Sequence, residues 1–406
     1  MTARTVSELH ALFIREAGPA PVSPLGDKPS NLASRRRETR RISELMAAND
    51  AFSFLRLGDV ELTVLLGLQD GIALSEDDKE PIDGTTGYGS LGLTPDQFPR
   101  LRRAFENASY VDFHERLWPI SVLLPRLALA RSPKAERNPN AECSYLLLTW
   151  LECEFRTYAS ERRILLAGAE ARLLEELRRD ARFRAISEDF WPTNSTVFFH
   201  QIRNDGRNIG ENFDLIKEDL RRAVQQTKVD TVFLSLGGGK ILCVELAEEL
   251  GVRIFDAGAM LRSLCYSGSD GNRACRSTHF LFLHRVPFDV WCDAMERAWP
   301  KLPPHERLAK VHAQLIVEVQ RKEVGWTHAS WELDLSSENR AAFAQAHSVY
   351  YARYAHLFDR TDETRRERSN FLHFCGTHGL TDEGRRFLRQ FALKRKMWRW
   401  LGFRDR

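Results

Sequence analysis

No stretch of this 406-residue chain approaches the roughly 18 consecutive apolar residues that a membrane-spanning helix requires. The opening MTARTVSELHALFIREAG carries acidic residues inside its apolar stretch and no small-residue cleavage site, so it does not read as a signal peptide. A cytoplasmic protein is the expectation. The seven cysteines, an odd number, include no C-x-x-C pair, which removes the close spacing of zinc sites and disulfide frameworks. Most of these sulfurs are expected to be small buried apolar groups. Neither G-x-G-x-x-G nor G-x-x-x-x-G-K-[ST] occurs, which argues against a standard dinucleotide site or P-loop. No repeat of fixed period is visible, and a formal net charge of +3 points to no partner.

What is present is a strand, turn, helix texture. Residues 52–57 (FSFLRL) read as a strand leading into a helix over 60–68, and 162–168 (RRILLAG) as a strand running into the helical AEARLLEELRRD. Residues 195–202 (STVFFHQI) and 229–236 (VDTVFLSL) continue the series, the second continuous and β-branched as a strand buried on both faces should be. It ends in Gly237-Gly238-Gly239 and a helix to Leu250, after which VRIFDAG gives a further strand. The alternation predicts an α/β, Rossmann-like domain with a largely parallel sheet flanked by helices over 35–285. Before it lie a short amphipathic helix (Val6, Leu9, Leu12, Phe13) and a Pro/Gly/Ser linker, AGPAPVSPLGDKPSN, within 1–34. After it, 286–406 reads as a helical C-terminal region. The basic run Arg35–Arg37, Arg40, Arg41 is interrupted by Glu38 and lacks interleaved aromatics, so it reads as a solvated helix start rather than a nucleic-acid arm.

Ligands of parallel sheets bind at the carboxyl ends of strands. Two features sit there. Arg56-Leu57-Gly58-Asp59-Val60-Glu61 places two acids where a strand turns into its helix. Hard cations such as Mg²⁺ or Mn²⁺ take carboxylate oxygens and complete their shell with substrate phosphates. The acids share a ligand only in an extended turn, since on a regular helix they point apart. Alternatively, Asp59 is an N-cap and Glu61 complements the helix dipole. The second feature, Ser235 to Lys240, is a glycine turn feeding a helix, which either offers N–H groups to an anion or lets the helix pack close to the sheet. The acidic loop 76–80 does not match an EF-hand, and 84–92 (GTTGYGSLG) is either a lid or a loop. Most of the nine tryptophans, Trp150 among them, read as core.

The stretch 52–68 resembles the R-x-G-D-x-E signature of the GT-D-type glycosyltransferases, and 229–258, ending in Asp256-Ala257-Gly258, is similar to that family's later block. The resemblance spans about 45–265, with both blocks in order. It implies transfer of a sugar from a nucleoside-diphosphate sugar to a glycan, lipid-linked or protein acceptor, with Mn²⁺ or Mg²⁺. By position, Asp59 contacts the metal or its water shell and Glu61 supports it. Arg56 and Gly58 lie near the diphosphate, and Gly237, Gly238 and Gly239 border the nucleotide. Val60 stands where the family usually has glycine, and Ala259-Met260-Leu261-Arg262 replaces the His and acids that many members carry. Asp256 is the first candidate for the catalytic base, with His200 and Asp205 behind it. Asp256 alternatively caps a turn, and His200 is alternatively a satisfied core histidine. The rival readings are a non-catalytic sugar-nucleotide-binding or assembly protein and another nucleotide-dependent α/β enzyme.

Residues 384–406 hold nine Lys/Arg, one acid and interleaved aromatics, so this tail carries +8 and the preceding 383 residues −5. Such a segment suits peripheral contact with the anionic inner face of a membrane; a docked terminal helix explains it as well, and a nucleic-acid arm is the third reading.

Overall fold

The computed structural model describes residues 29–57, 61, 64–65, 92–113, 136–137, 150–151, 154–188, 190–192, 194, 196–202, 209–258, 260–265, 288–307, 310–311 and 389. The expected N-terminal amphipathic helix, Gly58 and Asp59, residues 76–91, Asp205 and all of the 384–406 tail except Arg389 lie outside them.

In chain order the elements are α1 (Pro29–Ala48), β1 (Phe52–Leu57), α2 (Phe98–Asn107), β2 (Tyr110–Phe113), β3 (Glu136–Arg137), α3 (Phe155–Ala159), β4 (Arg163–Gly168), α4 (Ala171–Arg179), α5 (Ala181–Ser187), β5 (Thr196–Gln201), α6 (Phe213–Thr227), β6 (Thr231–Ser235), α7 (Lys240–Leu250), β7 (Arg253–Asp256), α8 (Met260–Cys265) and α9 (Phe288–Ala298). The strands form one sheet in the order β3-β2-β1-β7-β6-β4-β5, and every pairing is parallel. This is the expected Rossmann-like α/β class.

The five longer strands anticipated from sequence stand within two residues of their expected ends. The expected linker ends earlier than its composition suggests, because α1 already begins at Pro29, a residue tolerated in a first helical turn. Arg37, Arg40 and Arg41 lie on its exposed side, as a solvated helix requires. The four-residue β2 is too short to show an alternation, whereas α2, not anticipated from the sequence, carries Phe98, Leu101 and Phe105 at helical spacing and a proline in its first turn.

Contacts divide the chain into two units, Met1–Glu175, Glu188–Arg262 and Ser277–His279 in the first, and Glu176–Ser187, Ser263–Arg276 and Phe280–Arg406 in the second. The whole sheet belongs to the first. Its two faces differ in chemistry because side chains alternate along each strand. Leu55, Leu57, Leu165, Ala167, Val232, Leu234 and Ile254 face an aliphatic core shared with α2, α6 and α7. Phe213, Ile216, Leu220, Ala223 and Val224 recur at helical spacing and turn α6 onto that core. The connections β1 to β2, β5 to β6 and β6 to β7 all step the same way across the sheet. A single crossover hand therefore puts their helices on one face.

The opposite face is aromatic. Tyr110, Phe54, Phe255 and Phe233 occupy matching register positions on β2, β1, β7 and β6. Their rings stack in sequence at 5.2, 5.5 and 5.0 Å between centroids. Trp150 lies on this row, 5.3 Å from the Phe255 ring, and its indole N–H donates to Ser43 Oγ at 3.0 Å. Trp150 is thus core, as anticipated. Such pairs contribute about 0.5–1.5 kcal/mol each beyond area burial. A slip of one residue on any of the four strands would turn its ring to the aliphatic side, so the row fixes register. Register in turn sets which residues emerge together at the carboxyl ends.

Gly168, the last residue of β4, lies against β6. A Cβ there would sit 2.7 Å from the Ser235 carbonyl oxygen and 3.0 Å from Leu261 Cδ1. Because the obstacle is backbone, Gly168→Ala is expected to lower stability by about 1–3 kcal/mol, as overpacked cores do. A urea melt measures this, and an unchanged midpoint would refute the close approach.

In the second unit, α9 buries Phe288, Val290, Trp291, Cys292, Ala294 and Met295. Arg297 donates to the buried Glu176 at 3.1 Å, and Arg182 pairs with Asp289 at 2.9 Å. Among the described residues no helix is long and apolar enough to cross a membrane. The described cysteines Cys243, Cys265 and Cys292 are buried, as expected, and none is in a disulfide.

Candidate functional site

Three neighbouring strands end close together. β1 ends just beyond Arg56, β7 ends at Asp256, and β6 runs through the single turn Gly237–Gly239 into Lys240, the first residue of α7. Each local feature has a cause. Gly239 sits with a hypothetical Cβ 3.0 Å from Leu236 Cβ and 3.1 Å from Leu234 Cδ2, so a side chain there would push the helix off the sheet. Gly238 and Gly239 are buried and Gly237 is exposed. The packing role of the glycine turn is therefore visible at Gly239, while Gly237 borders solvent.

Four charged side chains meet at these strand ends. Lys240 Nζ lies 2.5 Å from Glu61 Oε1 and 3.3 Å from Asp256 Oδ2. Arg56 brings its backbone N–H to Asp256 Oδ2 at 3.2 Å and its Nε to 3.7 Å from the same oxygen. The other Asp256 oxygen accepts the Gly258 N–H at 3.1 Å. Side-chain exposure is 9% for Glu61, 6% for Lys240, 2% for Asp256 and 23% for Arg56. Two cations and two anions balance, which is the condition for burying them at all.

Gly258 makes room for Arg56. Its φ is +48°, and an added Cβ would fall 1.4 Å from Arg56 Nη2. The guanidinium thus lies against a bare Cα. Ser235 Oγ, at the end of β6, accepts the Leu261 N–H at 3.2 Å and ties the first turn of α8 to the same strand end.

Burial pushes the Lys240 ammonium towards deprotonation, and its place at a helix N-terminus is also unfavourable for a cation. Asp256 and then Glu61 outweigh burial, against an opposing push from Arg56, and hold its pKa above the ordinary 10.5. Lys240 is charged at neutral pH. One turn further along α7, burial and then Asp256 push the Cys243 thiol well above 9.0, so it is an inert core group rather than a nucleophile.

The structure brings together Arg56, Glu61, Asp256 and the 237–239 turn out of the anticipated set. His200 is elsewhere. It lies on the edge strand β5, three strands from β7, a separation of about 14 Å at the usual strand spacing. Its Nε2 is 2.9 Å from Asp219 Oδ2 on α6. Glu61 is helical, not in the extended turn that a shared ligand for the D-x-E pair requires. Lys240 and Gly258 were missed as site residues. The signal for Lys240 was a lone cation opening a helix whose next four residues, Ile241 to Val244, are all apolar and buried.

The metal implied by the resemblance can be tested against these groups. Glu61 and Asp256 both face Lys240, and Asp256 also accepts two backbone N–H groups. Two unit charges roughly 4 Å apart interact by about 4 kcal/mol at an effective dielectric near 20. A divalent ion on Glu61 meets that repulsion twice over from Lys240. Among the described residues no group of three or more His, Cys, Asp or Glu is placed to hold a metal. Lys240 therefore occupies the place at which Glu61 and Asp256 together would hold Mn²⁺ or Mg²⁺, while Asp59 lies outside the described residues.

A cavity of about 370 Å³ opens at the opposite, amino ends of β1 and β2, between Phe52, Ser53 and Ser109. It lies away from the charged cluster and is not where parallel sheets bind ligands.

Compared with family models, curated proteins and solved structures, the chain finds no match in any of the three.

Proposed function

We propose that the protein is a glycosyltransferase using a nucleoside-diphosphate sugar as donor, with a glycan, a lipid-linked molecule or a protein as acceptor. The observation that carries this reading is the Arg56 guanidinium, held by Asp256 against the bare Cα of Gly258 at the carboxyl ends of the central strands. In a body whose charge sums to −5, a fixed cation at that place is the natural partner of a diphosphate. Gly237, at the exposed start of the turn before α7, offers a backbone N–H at the carboxyl end of β6.

In transfer, Arg56 stabilises the charge that grows on the leaving diphosphate, a preorganised term worth more in a dry site than in water. Asp256 is buried with both oxygens engaged, and so acts as the anchor that sets Arg56 and Lys240. The acceptor proton has no assigned base among these four residues. That last observation favours a second reading, a sugar-nucleotide-binding protein without turnover. Release of nucleoside diphosphate across a panel of acceptors separates the two.

Thermal shifts with UDP-, GDP- and dTDP-sugars test the proposal. A donor at a hundredfold excess over its Kd should stabilise by about 2.7 kcal/mol, a rise of several degrees in Tm. Arg56→Ala should weaken that donor by about tenfold or more, the usual cost of a lost charge-assisted contact. No shift with any sugar nucleotide would sink the reading.

A further inference from the structure

We infer that Lys240 is the resident cation between Glu61 and Asp256, and that neither of these two acids holds a divalent metal in the folded protein. This rests on reading the strand ends as the sugar-nucleotide site.

The ammonium touches one oxygen of each carboxylate, at 2.5 and 3.3 Å, and the two acids reach it from different strand ends. Lys240 is pinned by its backbone as the first residue of α7, between the buried Gly239 and Ile241, so its side chain has no solvent to retreat to. A divalent ion on Glu61 or Asp256 would have to displace it. Displacement would strand a buried positive charge at the positive end of a helix. Arg56 supplies a second positive charge beside Asp256.

Lys240 here is a positioning residue. It holds Asp256, and Asp256 orients Arg56 through the backbone N–H and Nε contacts. A divalent ion held by Glu61 and Asp256 would need the place that the ammonium occupies, so the two arrangements exclude each other.

Mn²⁺ binding to the full-length protein, followed by EPR with MnCl₂ alone, tests the assignment without an activity assay. Wild type and Glu61→Gln should bind Mn²⁺ indistinguishably. Lys240→Met should gain a Mn²⁺ site about tenfold tighter or more, and Lys240→Met/Glu61→Gln should lose that gain. A wild-type Mn²⁺ site that weakens about tenfold in Glu61→Gln or Asp256→Asn would overturn the inference. The comparison of wild type with Glu61→Gln decides the matter even if Lys240→Met does not fold. In parallel, any Mn²⁺-dependent gain in UDP or GDP affinity should be the same in wild type and Glu61→Gln, and a gain that is lost in Glu61→Gln overturns the inference. If neither nucleotide binds under any condition while Mn²⁺ behaves as expected, the glycosyltransferase reading fails and the Lys240 assignment stands.

Discussion

Lys240→Met is expected to destabilise the protein by about 3–5 kcal/mol, the cost of breaking a buried ion pair by removing one partner. Methionine matches the length of the lysine stem, so little packing is lost. What remains is two buried carboxylates, Glu61 and Asp256, with Arg56 near the second. Guanidinium unfolding should show the loss, together with a fall in Tm of about 5 °C. Adding Glu61→Gln should return part of it, since the stranded charge is then gone; the coupling between the two sites should be about 0.5–3 kcal/mol. The pH dependence has a definite sign. Lys240 titrates above 10.5 in the folded protein, so its contribution is complete below that pH and is lost as pH rises through the folded-state value. The gap between wild type and variant should therefore be full at neutral pH and shrink in strong alkali. A loss below about 1 kcal/mol at neutral pH would show that the cluster is hydrated rather than buried.

Gly258→Ala is expected to act on two levels. The backbone there has φ +48°, where an alanine costs about 1–2 kcal/mol. The larger consequence is steric. The new Cβ would fall 1.4 Å from Arg56 Nη2, and a guanidinium at the end of a flexible side chain moves more readily than a strand end. Arg56 should be evicted from its seat against Asp256. Donor affinity measured by calorimetry should then drop about tenfold or more, matching Arg56→Ala. The double variant should be no worse than either single one, because both remove the same interaction. Additive losses would mean that Gly258 and Arg56 act separately.

Much of the fold was legible because its signals are local. The β-branched run at 229–236 and the alternation of strands with amphipathic helices are written within single elements, and both led to the parallel Rossmann-like sheet that is observed. The short β2 was not legible. Its Tyr110 makes sense only beside Phe54, a ring on another strand that pairs with it in register. The site was partly legible for the same reason. Arg56, Glu61 and Asp256 could be placed at strand ends from the order of elements. His200 also lies near a strand end, but on the far edge, which strand order alone decides.

The sequence by itself determined the element order, the buried character of β6, the glycine turn before α7 and the acidic balance of the body. Each depends on neighbours a few residues away. Only the tertiary structure decided that Asp256 meets the Arg56 backbone 200 positions earlier, that Lys240 lies between Glu61 and Asp256, and that Gly258 is small because Arg56 lies over it. Those contacts follow from strand order and register, which the aromatic row across β2, β1, β7 and β6 fixes. Packing of residues far apart in the chain sets that row, and no local periodicity records it.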